Sequence, residues 1–384
     1  MASDAARWPV WTAALLPLVV IAVLVVVFVQ LDPIGSLRAV PPVEAIAVER
    51  MTLTDDHIEL RVRNDGPDPV TIAQVLVDDA YWTFEIGDRT LGRLEATTVE
   101  LDYPWDPGLP IHIGLVTSTG LVIEHEVEAA SVTPQLDRQT LTVYALLGVY
   151  IGVIPVAVGL LWFPALQRAS ERAVTFFLAF TVGLLAFLLI DTVGEGLEMA
   201  GATAGALDGV GVFFVGVLLT VVALTWMSSF FTQRQTRSSG LVLAYLVAAG
   251  IGLHNLGEGL AVGAALAAGE IALGTFLVVG FALHNTTEGL AIVAPLGRAR
   301  RRPSVWHFVG LGAVAGLPTI VGAWAGGFAF TPVWAALAFG VAAGAIAQVV
   351  WAIGRSMGPR ASSGAAALGF AGGLVAMYAT GLLA

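Results

Sequence analysis

The sequence contains no cysteine and no lysine, and each absence excludes a kind of chemistry. Without cysteine the chain forms no disulfide and offers no thiolate to a metal ion. All 18 basic residues are arginine, which excludes a Schiff base on lysine, including covalently bound retinal. Charged residues make up only 12% of the chain and hydrophobic residues 57%. With a mean hydropathy of +0.83, the composition predicts a polytopic α-helical protein in a lipid bilayer.

The net charge of −11 is concentrated in one segment. Residues 31–139 contain 20 acidic residues and seven arginines, whereas the rest of the chain contains nine acidic residues and eleven arginines. The acidic segment suits a salt-rich or cation-rich exterior, and it argues against nucleic acid as a partner.

The first apolar run, from Val10 to Val29, is longer than the core of a signal peptide, and no small-residue cleavage site follows it. We therefore predict a cytoplasmic N-terminus at residues 1–9 and a transmembrane anchor at 10–30. A cleaved signal peptide is the alternative.

Residues 40–131 have the alternating pattern of short strands separated by turn clusters, which predicts a small all-β, immunoglobulin-like sandwich outside the membrane. The predicted strands are Glu44–Leu53, His57–Arg63, Val70–Val77, Tyr81–Ile86, Thr97–Leu101, Ile111–Thr117 and Leu121–Val127.

Residues 140–384 form the predicted membrane domain. Its eight apolar segments are 141–163, 173–199, 209–231, 241–266, 270–294, 305–329, 332–354 and 364–383. Ten arginines occupy alternate junctions, near 168–172, 234–237, 298–302 and 355–360, and the opposite junctions contain none. By the positive-inside rule the arginine-bearing junctions are cytoplasmic. We therefore predict that the β domain and the C-terminus lie on the extracytoplasmic side of the cell membrane.

One phrase occurs twice in these apolar segments. The copies are His254-Asn255-Leu256-Gly257-Glu258-Gly259-Leu260-Ala261 and His284-Asn285-Thr286-Thr287-Glu288-Gly289-Leu290-Ala291. In a helix, His and Glu four residues apart share a face. Because the two spans run in opposite directions, the copies predict an inverted-repeat site near the middle of the membrane. Imidazole, carboxylate and amide donors suit a divalent transition metal. Two glutamates would balance its charge. Ionisable groups at this depth cost free energy, so their presence indicates a function. Structural polar residues that bridge helices are the plain alternative.

The second span adds Asp191, Glu195 and Glu198 on one helical face. We predict Asp191 and Glu195 as further metal-site residues or an access relay. Glu198 is predicted to meet lipid headgroups.

The repeated phrase resembles the metal-binding spans of the ZIP family of divalent-metal transporters, on His254, Asn255, Glu258 and Gly259 and on His284, Asn285, Glu288 and Gly289. This resemblance covers about residues 140–384 and implies an eight-helix bundle. It further implies that the chain carries zinc, iron(II), manganese or cobalt inward as its substrate and has no prosthetic group. The resemblance also implies that a helix bundle carrying the metal site moves in an elevator-like way against a scaffold that forms dimers. A homodimer is therefore one expectation.

Three features differ from the family pattern. The proline before the glutamate is Gly257 in one copy and Thr287 in the other. Thr319 stands near the place where binuclear members have an acid, and Gln348 stands in the seventh helix, so we expect a mainly mononuclear site. The pattern favours a transporter over an enzyme, with a membrane-embedded zinc hydrolase as the alternative. A receptor that uses the β domain would leave the repeat unexplained.

Overall fold

The computed structural model describes residues 10–31, 43–127, 130–234, 239–267, 271–298 and 302–381. The predicted N-terminal segment 1–9 lies outside these ranges, as do residues 40–42 and 382–384 and the arginines at 7, 237, 300 and 301. Residues 1–43 form a separate unit that contains helix α1 (Val10–Leu31). Its 22 apolar-rich residues are about 33 Å long at a rise of 1.5 Å per residue. That length suits the anchor, which stays a prediction.

The β region, residues 46–127, contains two antiparallel sheets. Its strands are β1 (Ile46–Thr54), β2 (His57–Asn64), β3 (Val70–Val77), β4 (Ala80–Trp82), β5 (Glu85–Ile86), β6 (Thr90–Leu91), β7 (Ala96–Asp102), β8 (Ile111–Thr117) and β9 (Val122–Val127). One sheet has the order β1-β2-β7-β5, and the other has the order β4-β3-β8-β9 with β6 paired to β3.

Alternation along the strands builds one core between these sheets. In β2, Ile58, Leu60 and Val62 are buried, while Glu59 and Arg61 between them are exposed. They share a hydrophobic cluster with the inward residues of the other sheet, as the sandwich prediction requires. An immunoglobulin-like relationship stays a prediction.

The predicted strand Tyr81–Ile86 was wrong as one element. Ala80–Trp82 pairs with β3, whereas Glu85–Ile86 pairs with β7 in the opposite sheet. The chain therefore leaves one sheet and joins the other at Thr83-Phe84, where neither ladder continues.

Ten helices follow in the described part of residues 138–381. They are α2 (Arg138–Gly148), α3 (Ile154–Leu160), α4 (Phe163–Gln167), α5 (Glu171–Gly201), α6 (Gly209–Arg234), α7 (Ser239–Ala267), α8 (Ile271–Val293), α9 (Val305–Ala329), α10 (Pro332–Met357) and α11 (Gly364–Gly381). A π-helical turn, Val149–Val153, joins α2 to α3 within the first span. Seven of the described segments are long and apolar enough to cross a membrane. The eighth predicted span is α11, which is apolar but shorter. By helix length and composition the chain is a multi-pass membrane protein.

Close backbone contacts define a first set of helices, the site group, made of α2–α3, α7, α8 and α9. A Cβ atom added to Gly322 of α9 would lie 2.0 Å from the Leu256 carbonyl oxygen of α7. One added to Gly289 of α8 would lie 2.3 Å from the Val156 carbonyl oxygen of α3. Only glycine permits helices to approach this closely.

The flanking group, α5, α6, α10 and α11, is packed in the same way. A Cβ on Gly369 would lie 2.2 Å from the Phe176 carbonyl oxygen, and one on Gly340 would lie 2.2 Å from the Phe213 carbonyl oxygen. Between the two groups, in contrast, Gly257 faces the ring of Phe339. The groups therefore meet through side chains at this point.

Contacts near the helix ends place several of the described connections relative to the β region. At one end of the bundle the β region bonds to Phe328 in the last turn of α9 and to Ala206 after α5. At the opposite end, Glu171, Arg172 and Arg360 line one depression. These contacts place Arg172 and Arg360 away from the β region. The sides of the other arginine-bearing junctions and the orientation of the bundle in a membrane stay predictions.

Candidate metal centre

The two phrases meet where α7 and α8 pack inside the site group. His254 and Glu258 lie one turn apart midway along α7, and His284 lies on α8. All three side chains are buried, with 2%, 2% and 6% of their surfaces exposed. Three ionisable side chains without access to water need one another or a cation.

His254, Glu258 and His284, the metal trio, converge on one point. One donor atom from each residue lies within 4.8 Å of the other two. Glu258 Oε1 is 3.2 Å from His254 Nε2 and also contacts His284 Nε2. Two nitrogens and a carboxylate oxygen directed at one point are a ligand set for a divalent metal.

A hydroxyl on α5 orients the His254 ring. Thr192 Oγ1 donates to the Leu188 carbonyl at 2.7 Å and lies 3.0 Å from His254 Nδ1. Because its proton is directed at Leu188, the Thr192 oxygen accepts from Nδ1–H of His254. That tautomer leaves the Nε2 lone pair directed at the trio, the arrangement typical of a metal-ligating histidine.

Each motif asparagine attaches its helix to a neighbour. Asn255 Nδ2 donates to the Ala315 carbonyl of α9 at 3.1 Å, and Asn285 Nδ2 donates to the Ile151 carbonyl of the π-helical turn at 3.0 Å. Asn285 Nδ2 also lies 2.8 Å from Glu258 Oε2. π-Helical turns disturb the regular helical ladder and are frequent at functional sites. Each asparagine therefore bonds to a backbone carbonyl of a neighbouring segment of the site group, Asn255 to α9 and Asn285 to the π-helical turn.

Several buried oxygens near the trio have no hydrogen-bond partner. They are Oδ1 of Asn255, Oδ1 of Asn285 and both carboxylate oxygens of Glu288. Buried acceptors without partners are rare, and acceptors alone attract cations. Of the two asparagines, Asn285 contacts the trio directly, through the hydrogen bond from its Nδ2 to Glu258 Oε2.

The glycine after each glutamate has a packing role. A Cβ on Gly259 would lie 2.1 Å from the Thr319 carbonyl oxygen of α9, and one on Gly289 would lie 2.7 Å from the Cα of Gly159 in α3. The phrase thus combines ligands on one face with a close helix contact on another.

The remaining predicted site residues do not join the trio. Glu288 is buried, with 2% of its surface exposed, but lies outside the group whose donors converge. Asp191 is exposed on α5 and Glu195 is half-buried. The roles predicted for these three residues stay predictions.

Thr192 and the Ile151 carbonyl are the parts of the site that sequence analysis missed. A single hydroxyl beside Asp191 was the available signal for Thr192. Nothing in the letters of Val149–Val153 indicates a π-helical turn. Gln348, in contrast, donates to Thr225 Oγ1 at 3.4 Å, a contact between helices away from the trio.

No protein-family model matches the chain, and no curated protein matches it. The fold and the site define a multi-pass helical membrane protein with a β region and a buried His254/Glu258/His284 group that could bind a metal ion. Two histidine nitrogens with a carboxylate oxygen suit a divalent transition metal.

Proposed function

We propose that this chain is a secondary transporter that carries a divalent transition metal from outside the cell into the cytoplasm, with zinc as the first candidate and iron(II), manganese and cobalt as alternatives. This is the ZIP-like function that the repeated phrase implies. One observation carries the proposal: the metal trio is buried midway along antiparallel helices, and its donors converge within 4.8 Å. Ionisable side chains at this depth in a membrane cost free energy, and a site that only holds a cofactor would not need to lie there.

Charge balance supports a divalent ion. Glu258 and Glu288 bring two negative charges into the bundle interior when ionised, and neutral imidazoles add none. A doubly charged cation neutralises the pair, whereas an empty site must be neutralised by protons. Exchange between metal and protons is what a secondary transporter requires of such a site.

The packing of the helices supports an elevator-like movement. Glycines join α7 to α9, α8 to α3, α5 to α11 and α6 to α10 backbone to backbone, while Gly257 meets Phe339 across the groups through a side chain. Interfaces made of side chains can slide, because rotamers adjust more easily than interlocked backbones. We infer that the site group moves with its metal against the flanking group.

The direct test is zinc uptake by the purified protein in liposomes that contain a zinc indicator. Glu258→Gln keeps the size of the side chain but removes the charged ligand. Initial uptake should fall by more than about 100-fold, because loss of an outer-shell partner alone weakens metal sites by roughly 10–100-fold. Glu198→Gln is the matched control, since Glu198 is exposed near the end of α5, and it should retain uptake.

Equal uptake by Glu258→Gln and the parent protein would remove the trio from the transport path. Uptake of none of the four metals by well-folded parent protein would overturn the transport proposal itself. The same assay with iron(II), manganese and cobalt ranks the substrates.

A membrane-embedded zinc hydrolase is the second candidate. Three ligands with an open fourth position are typical of catalytic zinc, and Glu288 is a separate buried acid without a hydrogen bond. Metal-dependent cleavage of a peptide or lipid by the pure protein, without metal flux, would favour this function. The matching half-sites favour transport, since a hydrolase has no need for them.

A further inference from the structure

The β region is attached to the site group at two points. Arg50 Nη1 donates to the Phe328 carbonyl at the end of α9, at 2.6 Å. The connection to α2 also folds back on β1, because Thr133 and Leu53 exchange hydrogen bonds of 2.8 and 2.9 Å. α2 begins directly after this connection, with Asp137 as its N-cap. Both attachments lead to helices of the site group.

A third contact leads to the flanking group. Asp65 Oδ1 accepts a hydrogen bond of 2.7 Å from the backbone N–H of Ala206, in the short turn Gly205–Leu207 between α5 and α6. The two residues are 141 positions apart in the chain. This bond joins the β region to helices that the first two attachments do not reach.

Hydrogen bonds on both sides hold the corner that presents Asp65. Asn64 is fully buried, and its Nδ2 donates to the Asp68 and Leu91 carbonyls at 2.8 Å. The backbone N–H of Asp65 donates to the Ala45 carbonyl at 2.9 Å. With its backbone fixed on both sides, the carboxylate occupies a defined position against the Ala206 turn.

Between these contacts the β region covers a cavity of about 620 Å³ at the end of the bundle. Both groups line it: Ala202 directly follows α5, Ala264 lies on α7 and Gly326 on α9, opposite Met51 and His125 of the β region. A displacement of the site group relative to α5 must change this cavity and strain the Asp65 bond.

We propose that Asp65 is a latch: the β region travels with the site group, and its bond to Ala206 holds the two groups in the arrangement seen here. This inference rests on the movement in the proposed function. A hydrogen bond to a charged acceptor biases a two-state equilibrium by about tenfold or more. Release of the latch is then a step in each transport cycle, and Asp65 is a positioning residue for it.

Cysteine labelling tests the latch without any metal. Because the native chain contains no cysteine, Ala264→Cys in the half-buried cavity wall would be the only target for a maleimide. In the full-length protein, Asp65→Ala should raise its labelling rate by about tenfold. Asp65→Asn retains an acceptor oxygen and should restore most of the parent rate, and Asp88→Ala, an exposed acid of the same region, should have no effect.

A reciprocal change removes the donor. Ala206→Pro lacks the N–H but leaves Asp65 intact, and it should accelerate labelling to the same extent even if Asp65→Ala folds poorly. Parent-like labelling in both variants would overturn the latch, whatever the uptake assay shows. Faster labelling in both, without metal uptake by the parent protein, would support the latch and overturn the transport function instead.

Discussion

Glu258 faces two imidazole nitrogens inside the bundle. Whether these contacts are attractive depends on whether a proton or a metal ion lies between the carboxylate and the nitrogens. When Nδ1–H of His254 donates to Thr192, the Nε2 lone pair faces a carboxylate oxygen 3.2 Å away. Two acceptors at that distance repel unless a proton or a metal ion lies between them. At the scale of residues, Thr192 therefore helps to make the trio a cation site.

Thr192→Val tests this role of the hydroxyl. The variant keeps the shape of the side chain but removes the acceptor for Nδ1–H, so the His254 ring loses its fixed tautomer. Zinc affinity, measured by competition with a fluorescent chelator, should fall by roughly 10–100-fold. Thr192→Ser should recover it, and equal affinities for the valine variant and the parent would contradict the role.

Helix packing around the site depends on positions where a side chain is excluded. Gly259 lies against α9 so closely that a Cβ would be 2.1 Å from the Thr319 carbonyl oxygen. Gly354 of α10 has nothing within 4 Å of the same added atom. At the scale of elements, one helical glycine therefore excludes a side chain, whereas another has room for one.

Gly259→Ala should destabilise the protein by about 1–3 kcal/mol, because the methyl group forces α7 and α9 apart. Gly354→Ala should be neutral or stabilising by up to about 1 kcal/mol, since alanine is the better helix former. Thermal unfolding of the purified variants in detergent measures both. Equal unfolding temperatures would show that α7 and α9 can separate freely.

The strand β9 carries a pH-sensitive group. Burial lowers the pKa of His125 below its ordinary value of 6.5, so the unfolded strand binds a proton more readily than the folded one. The contribution of this pKa difference to stability is therefore fully present above about pH 6.5. It is lost as the pH falls toward the lowered pKa of the folded state.

Hydrogen exchange of β8 and β9 amides in the full-length protein checks this expectation. At pH 5, after correction for intrinsic exchange, His125→Gln should protect these strands better than the parent does. His57→Gln is the control, because His57 pairs with Asp102 on β7 and not with β9. Exchange that is unaffected by His125→Gln at low pH would rule out this histidine as the cause.

At the scale of the whole molecule, the described part of residues 44–381 is polarised along the bundle. The β region covers one end, and Arg172 and Arg360 lie at the other. If the arginine-bearing end faces the cytoplasm, the acidic β region meets external cations first, and transport proceeds from there toward the arginines.

Single cysteines in the cysteine-free chain report this orientation. Ser118→Cys in the β region should react with a membrane-impermeant maleimide on intact cells, while Ala361→Cys at the arginine-bearing end should react only after permeabilisation. Both positions are exposed, so accessibility depends on the membrane alone. The reverse pattern would invert the proposed direction of transport.

Several features of this protein followed from local chemistry in the sequence. The alternation of Ile58, Leu60 and Val62 with charged residues predicted β2, because a strand turns successive side chains to opposite faces. Apolar runs predicted the spanning helices, because backbone polar groups in lipid must bond within their own segment. The spacing of His254 and Glu258 predicted one shared face, because four residues complete about one helical turn.

Only the tertiary structure distinguished residues that the sequence makes equivalent. Glu258 and Glu288 occupy the same place in two near-identical phrases, yet Glu258 contacts both histidines, whereas Glu288 lies outside the group whose donor atoms converge. Which carboxylate joins the trio depends on how α7 and α8 pack against α5 and α9, and local spacing does not encode that packing. The same holds for Thr192, the Ile151 carbonyl and the Asp65 latch, whose partners are distant in the chain and are brought together only by the fold.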